Sequence, residues 1–358
     1  MEEKKPYYKE TIPSMHRRCK HWDYKGRGIY MLTLVVQARK PILCQVSADN
    51  KDVHVVPTEL GQRVLADVEC IPNYYPQIRI LCKQIMPDHL HILLFVQQPL
   101  PVHLTTVVSG FKTGCTRHYR TLLAELASTE HTERNASTEH TEKEETLPTL
   151  WEAGYHDRIL FHEGQLGTLI RYIQDNPRRL TLKRANPQLF RLHQRVQVAG
   201  IECTTLGNMF LLDYPIRAVV QCSRSLTQAE IDLRKEQFVT NAERGVVHIS
   251  AAISEGEKQI CRALREAGFP LIILLDKGFP PADSPYAHYY KPQGIYFEAC
   301  AAGKLLLIEP AKEMFEQPDI VERVTAKAGN IPHECQRFRF LGLNFAAERI
   351  AGDTLTAP

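Results

Sequence analysis

Two histidines two residues apart, His89 and His91, begin a run of aliphatic and aromatic residues that ends at Val96. The run lies between Pro87 and Pro99 and has the composition of a buried β-strand. Because residues i and i+2 of a strand point to the same face, the two imidazoles are expected side by side. The spacing predicts half of a site for a divalent cation. The alternative is that one ring is exposed and the other bonds a neighbouring backbone group.

A second pair, Tyr172 and Asn176, lies four residues apart in a segment that is predicted to be a helix from Gln165 to about Asn176, stopped by Pro177. Residues at this spacing share one helix face. A phenol can attack a phosphodiester when a metal polarises the phosphate, and an amide oxygen can be a further metal ligand. The alternative is that Tyr172 packs in the core and Asn176 only ends the helix.

Charge is distributed unevenly along the 358 residues, whose formal net charge is +3. Residues 1–200 contain 27 Lys and Arg against 21 Asp and Glu, whereas the remainder contains 17 against 20. A basic first half favours a polyanionic partner. For the basic run from Arg178 to Arg195, the alternative is a solvated helix face. The candidate phosphate contacts lie on a helix predicted over 103–123 and after the Tyr172 segment: Lys112, Arg117, Arg120, Arg178, Arg179, Lys183 and Arg184.

The segments around these residues predict an N-terminal domain of class α+β over residues 1–200. Strands are expected at 29–37, 41–46, 53–56, 78–84 and over the histidine run, and helices at 58–70 and 103–123. This order predicts helices packed on an antiparallel sheet.

A tandem duplication interrupts this domain, because residues 127–135 are repeated with small changes as 136–144. The stretch 124–148 contains 7 acidic and 2 basic residues, and the repeat has no apolar residue larger than Ala. Such a segment cannot bury enough apolar surface to fold, so the stretch 124–148 is predicted to be a disordered insertion.

From about residue 206 the pattern changes to apolar strands that alternate with helices. Strands are expected at 214–222, 246–250, 271–275 and 304–308, and helices at 228–242, 255–267 and about 296–302. The alternation predicts a separate domain over 206–350, a parallel α/β sheet in three layers, which the resemblance described below makes Rossmann-like. The strand-to-helix connection at 250–258 is a common position for an anion, but without a glycine-rich fingerprint an ordinary capped helix start is favoured.

The ten cysteines are scattered singly, which is typical of reduced thiols and not of a zinc or disulfide framework. No apolar stretch approaches the length of a membrane span, and the charged N-terminus has no signal-peptide segment behind it. The sequence therefore predicts a cytoplasmic protein without a membrane partner.

Three blocks together resemble the HUH single-tyrosine transposases: Met-Pro-Asp-His-Leu-His-Ile-Leu-Leu at 86–94, Gly-Tyr-His-Asp-Arg-Ile-Leu at 154–160 and Tyr-Ile-Gln-Asp-Asn-Pro at 172–177. The chain is most similar to the branch of REP-associated tyrosine transposases, in which a Tyr-Ile-x-x-Asn-Pro helix follows the His-x-His strand. The resemblance covers about residues 15–195. The duplication departs from it, and residues from 206 onward, which distantly resemble the Rossmann-type module of DNA-processing proteins, lie outside it.

The resemblance implies a ferredoxin-like N-terminal domain that cleaves single-stranded or hairpin DNA and transfers the strand, as a transposase or a domesticated derivative. Tyr172 would form a covalent 5′-phosphotyrosine link, and His89, His91 and Asn176 would hold Mg²⁺ or Mn²⁺. Two alternatives stay open, namely a sequence-specific DNA-binding regulatory protein with an unused tyrosine and hydrolysis by a metal-activated water. A homodimer is one arrangement that stays open.

Overall fold

The computed structural model describes residues 22–49, 52–133, 148–162, 164–280, 292 and 294–352. The chain divides into two compact units, Met1–Thr181 and Leu182–Pro358. Each unit has a β-sheet of its own with helices packed against it.

The first unit is built on a four-stranded sheet in the order β4-β5-β1-β6, in which all neighbouring strands are antiparallel. Strands β2 and β3 form a separate antiparallel hairpin. The elements are β1 Gly28–Val35, β2 Cys44–Asp49, β3 Asp52–Pro57, α1 Glu59–Tyr74, β4 Ile78–Met86, β5 His89–Val96, α2 Leu104–Glu133, β6 His156–Leu160 and α3 Gln165–Ala185. The predicted antiparallel sheet with helices is confirmed.

Helices cover both faces of this sheet. On one face, alternate residues of β1 and β5, such as Leu32 and Ile92, form a core with apolar residues of α1 and α2. On the other face, Met31 and Leu93 pack against Ile173 and other apolar residues of α3. The two-residue period of the strands thus divides their side chains between the α1–α2 face and the α3 face.

The start of α1 shows how closely these layers approach. The Thr58 side chain accepts a hydrogen bond from the backbone nitrogen of Gly61 and caps the helix. A Cβ atom on Gly61 would lie 2.0 Å from the carbonyl oxygen of Leu43, so only glycine is accommodated at this position.

Two helices are longer than predicted. Helix α3 continues through Pro177, although proline removes one helical hydrogen bond and usually ends a helix. The reason is tertiary, because Ile173 before the proline and Leu180 after it both pack in cores of the unit.

Helix α2 extends to Glu133, so the predicted disorder is wrong for residues 124–133, where extending an existing helix costs little. Residues 134–147 of that prediction lie outside the described residues.

The second unit has a six-stranded sheet in the order β7-β8-β12-β11-β10-β9. Neighbours among β9 to β12 are parallel, which confirms the parallel pairing predicted for the strands after residue 206. Strands β7, β8 and β12 pair antiparallel, so the sheet as a whole is mixed and differs in this part from the prediction. The difference arises from a hairpin turn at Ala199 and Gly200, which lies before the region where strands were predicted. The elements are β7 His193–Val198, β8 Ile201–Gly207, β9 Arg217–Val219, α4 Gln228–Glu243, β10 Val247–Ser250, α5 Glu255–Glu266, β11 Leu271–Leu274, α6 Gly294–Ala301, β12 Leu305–Pro310, α7 Pro318–Ala328 and α8 Gln336–Ala351.

The second unit has three layers. Apolar residues of α4, α5 and α6 pack on one face of the sheet, and those of α7 and α8 pack on the other. The predicted capped start of α5 is confirmed, because Ser254 and Glu257 form a reciprocal capping box. The Glu257 carboxylate also accepts hydrogen bonds from the backbone nitrogens of Cys222 and Ile253. These hydrogen bonds give the start of α5 a structural role.

Candidate active site

Strand β5 places both imidazoles on the sheet face that carries α3. His91 and the next residue on that face, Leu93, are buried, and Leu93 packs with Ile173 of α3. The ring centroids of His89 and His91 lie 4.8 Å apart at an interplanar angle of 80°. The structure therefore brings the two rings together edge to face, on one side of one strand.

Each imidazole is held through its Nδ1 atom. His91 Nδ1 lies 2.9 Å from the hydroxyl of Thr33, which is its direct partner in β1. His89 Nδ1 lies 2.6 Å from a carboxylate oxygen of Asp88. Hydrogen bonds of this kind orient metal-binding histidines, because they set the ring direction and leave Nε2 as the coordinating atom.

The charge of Asp88 determines which nitrogen of His89 carries the proton. Burial would raise the pKa of Asp88, but the hydrogen bonds and charges of His89 and Arg39 outweigh burial and lower the pKa to about 2. Arg39 donates to the second carboxylate oxygen at 2.9 Å. Because an ionised carboxylate only accepts hydrogen bonds, His89 donates from Nδ1, and in the neutral ring Nε2 has the lone pair.

Helix α3 brings Tyr172 to the histidines. The ring of Tyr172 is half-buried, and its centroid lies 6.2 Å from that of His91. One turn further along, Asn176 is buried, and its amide nitrogen donates to the carbonyl oxygen of Tyr172 at 2.7 Å. This bond uses the nitrogen and leaves the amide oxygen as the atom of Asn176 that can coordinate a cation.

The residues present are suitable for a divalent cation with open positions. Within the described parts of the chain, no three His, Cys, Asp or Glu side chains form a metal-binding group, so a third ligand beside the two imidazoles would have to be of another type. Two imidazole nitrogens and one amide oxygen would make a mixed donor set that leaves positions for substrate oxygens.

A compact group of charges lies next to Tyr172 on α3. Asp175 accepts hydrogen bonds from Nε of Arg178 at 2.6 Å and from Nε of Arg179 at 2.7 Å. Burial would raise the pKa of Asp175, but these bonds outweigh it and hold the pKa below its ordinary value. The Arg179 guanidinium lies 5.7 Å from the ring centroid of Tyr172. The site therefore has positive charge beside its phenol.

The other predicted phosphate contacts lie elsewhere. Lys112, Arg117 and Arg120 belong to α2, on the sheet face opposite to α3, where they border an open groove of about 580 Å³. Nζ of Lys112 donates to the carbonyl oxygens of Glu152 and Gly154, and burial lowers its pKa. Lys112 thus has a structural task, whereas Arg117 is exposed.

The last two predicted contacts fall in the C-terminal part of α3, which belongs to the second unit. Nζ of Lys183 lies 5.5 Å from the ring centroid of Phe190. Arg184 is exposed.

Three residues that hold the site were missed at the level of sequence. Asp88 and Arg39 anchor His89, and Thr33 anchors His91. Asp88 directly precedes the histidine run, so its sequence position was a signal. No local signal identifies Thr33, because its contact with His91 depends on the register between β1 and β5.

No protein-family model matches the chain. An uncharacterized protein of Haemophilus influenzae is 25% identical over 180 residues, and the match covers 45% of this chain and 86% of the relative. A solved REP-associated tyrosine transposase bound to a REP hairpin has a TM-score of 0.30 and 14% identity, covering 46% of this chain and 73% of the other. A Deinococcus radiodurans R1 protein, provisionally assigned as a transposase, has a TM-score of 0.25 and 16% identity, covering 44% of this chain and 96% of the other.

These structures are distantly similar to about half of the chain, and the function proposed below therefore rests on side-chain geometry. Among the helices that the structure describes, none is both long enough and apolar enough to cross a membrane.

Proposed function

We propose that this protein cleaves single-stranded DNA and transfers the strand through a covalent tyrosine intermediate, as an HUH single-tyrosine transposase of the REP-associated branch or a domesticated derivative. The observation that carries the proposal is the meeting of Tyr172 with His91 and His89 on one sheet face. The ring centroid of His91 lies 6.2 Å from that of Tyr172 and 4.8 Å from that of His89. A DNA-binding protein that makes no covalent bond has no need for oriented imidazoles beside a phenol.

The arrangement of the strands supports a ferredoxin-like first unit. Strands β1, β4, β5 and β6 are joined through α1, a tight turn and α2, and they lie in the order β4-β5-β1-β6. This is the β-α-β-β-α-β arrangement of that fold, with the β2–β3 hairpin as an addition. In the second unit, consecutive β-α-β units support a Rossmann-like assignment. Its parallel strands run in simple sequence without the reversal that forms a nucleotide crevice, so we propose no ligand there.

In the proposed reaction, the Tyr172 oxygen attacks phosphorus and forms a new P–O bond. The bond from phosphorus to the 3′ oxygen breaks, and that oxygen leaves with a proton as a free 3′-hydroxyl, while the 5′-phosphate stays esterified to the tyrosine. A bound Mg²⁺ or Mn²⁺, held by His89, His91 and the Asn176 oxygen, would neutralise and polarise the phosphate. Arg179 adds positive charge where the phosphate arrives.

The proposed partner is single-stranded or hairpin DNA. Arg179 lies beside the phenol, and Arg178 binds the same Asp175 carboxylate as Arg179. Both guanidinium groups would contact phosphates next to the cleaved bond. Arg117 and Arg120, which border the groove on the opposite sheet face, would contact phosphates further along the molecule.

The test is a denaturing gel after incubation of the full-length protein with hairpin DNA and Mn²⁺. The label belongs on the 3′ end of the DNA, because the fragment with the 5′-phosphate is the one that becomes attached. Wild type and the matched control Tyr119→Phe are expected to form the adduct, and Tyr172→Phe is expected to form none at nearly unchanged DNA affinity.

Other results identify the alternatives. Adduct formed by Tyr172→Phe would show that another residue is the nucleophile. Cleavage without adduct in wild type would show that water is the attacker, and binding without cleavage would support the regulatory DNA-binding alternative.

A further inference from the structure

Strand β6 forms one edge of the first unit's sheet and carries two exposed side chains, His156 and Arg158. It pairs with β1, where His156 is opposite Thr33 and Arg158 is opposite Met31. Thr33 is the residue whose hydroxyl holds His91. The two exposed residues therefore lie one strand away from the residues that support the candidate active site.

The neighbours of these residues show which face they occupy. The hydroxyl of Tyr24 donates to Asp157 at 2.7 Å, and Ile159 packs in the core with α1 and α2. Residues that alternate with them must point to the opposite face, and Leu160 does so by packing with Met31 and α3. His156 and Arg158 thus lie on the same face as the two imidazoles and Tyr172.

The spacing and chemistry of this pair are those of a contact surface for a polyanionic chain. Side chains two residues apart on a strand are separated by about 6.6 Å, which is of the same order as successive phosphates in an extended single strand. Arginine binds phosphate with a planar, permanently charged fork. The competing explanation is that charge on an edge strand prevents pairing with another sheet.

We propose that His156 and Arg158 form a phosphate-binding row that holds single-stranded DNA beside Tyr172. This inference rests on the proposed function and adds to it the path of the strand, which runs over the β6 edge of the sheet face that carries α3. The row contacts the backbone only, so it contributes affinity and no sequence preference.

The test measures affinity in full-length protein that carries Tyr172→Phe, which removes cleavage from the assay. Fluorescence anisotropy with labelled oligo(dT) and with a hairpin would be recorded at several salt concentrations. Adding Arg158→Gln is expected to lower affinity about fivefold at 0.15 M salt for both DNAs and to reduce the salt slope by about 1. Arg158→Lys, which keeps the charge, is expected to retain most of the affinity.

The matched control is Arg63→Gln, since Arg63 lies on α1 at the opposite sheet face and pairs with Glu59. The inference is overturned if Arg158→Gln and Arg63→Gln have the same affinity. It is also overturned if Arg158→Gln leaves affinity unchanged and promotes self-association, which is the outcome expected from edge protection.

The wild-type adduct gel separates this inference from the proposed function. If wild type forms the adduct and Arg158→Gln binds DNA with unchanged affinity, the phosphate-binding row is refuted and the proposed function is not. A fivefold loss of affinity without any adduct supports the row and contradicts the cleavage reaction, and absence of single-strand binding by Tyr172→Phe overturns both.

Discussion

The buried histidine of β10, His248, is expected to make the second unit lose stability as the pH falls below neutrality. The side chain is fully buried, and its ring lies 5.2 Å from that of Phe238. Neither ring nitrogen has a hydrogen-bond partner in the described part of the chain. Burial without a partner disfavours the charged form and lowers the pKa of His248 from 6.5 to about 4.

The sign and size of the effect follow from this shift. The unfolded chain binds the proton at His248 more readily than the folded chain does. The free energy of unfolding of the second unit therefore has its full value above pH 6.5 and decreases as the pH falls toward 4. The full shift corresponds to a limit of about 3 kcal/mol, of which about 2 kcal/mol is lost at pH 5. The variant His248→Leu replaces the titrating group with an apolar side chain of similar size.

The chain offers a convenient assay, because both tryptophans, Trp22 and Trp151, belong to the first unit. Tryptophan fluorescence therefore follows unfolding of that unit, whereas far-UV circular dichroism follows both. Between pH 7 and pH 5, the unfolding temperature of the second unit, followed by circular dichroism, should fall about 4–8 °C more in wild type than in His248→Leu. Equal pH dependence in the two proteins would refute the reasoning, and the fluorescence transition should be the same in both.

Three further predictions concern the first unit. Thr33→Val removes the hydroxyl that holds His91 and should weaken Mn²⁺ binding about tenfold by calorimetry, whereas unchanged affinity would exclude a positioning role. His89→Ala and His91→Ala should each abolish adduct formation on the gel while single-strand affinity stays within about twofold, and full cleavage in EDTA would contradict the metal site. Lys112→Met removes two hydrogen bonds to carbonyl oxygens and should lower the free energy of unfolding by about 1–3 kcal/mol, followed through Trp151 fluorescence, and a stable variant would exclude the structural task.

Much of the local structure could be predicted from the sequence. The strand that carries His89 and His91, the helix that carries Tyr172 and the alternation of strands and helices after residue 206 all follow from hydrophobic periodicity, which reports which side chains a regular element buries. The proximity of Tyr172 to His91 was anticipated only through a resemblance of motifs, because no local pattern places a helix above a strand eighty residues away.

Element ends and strand pairing were less predictable. Local rules stop a helix at Pro177, yet α3 continues because apolar residues on both sides of the proline pack against cores of the first unit. The antiparallel strands β7 and β8 were missed because the hairpin lies in a polar stretch whose partner, β12, is about one hundred residues further along the chain.

By itself, the sequence determined that His89 and His91 share a strand face and that Tyr172 and Asn176 share a helix face, because the periods of regular backbone set these relations locally. Only the tertiary structure decided that Thr33 holds His91 and that His156 and Arg158 lie on the same face as the imidazoles. These relations depend on strand register, which is set by burial of a whole sheet face between residues distant in the chain.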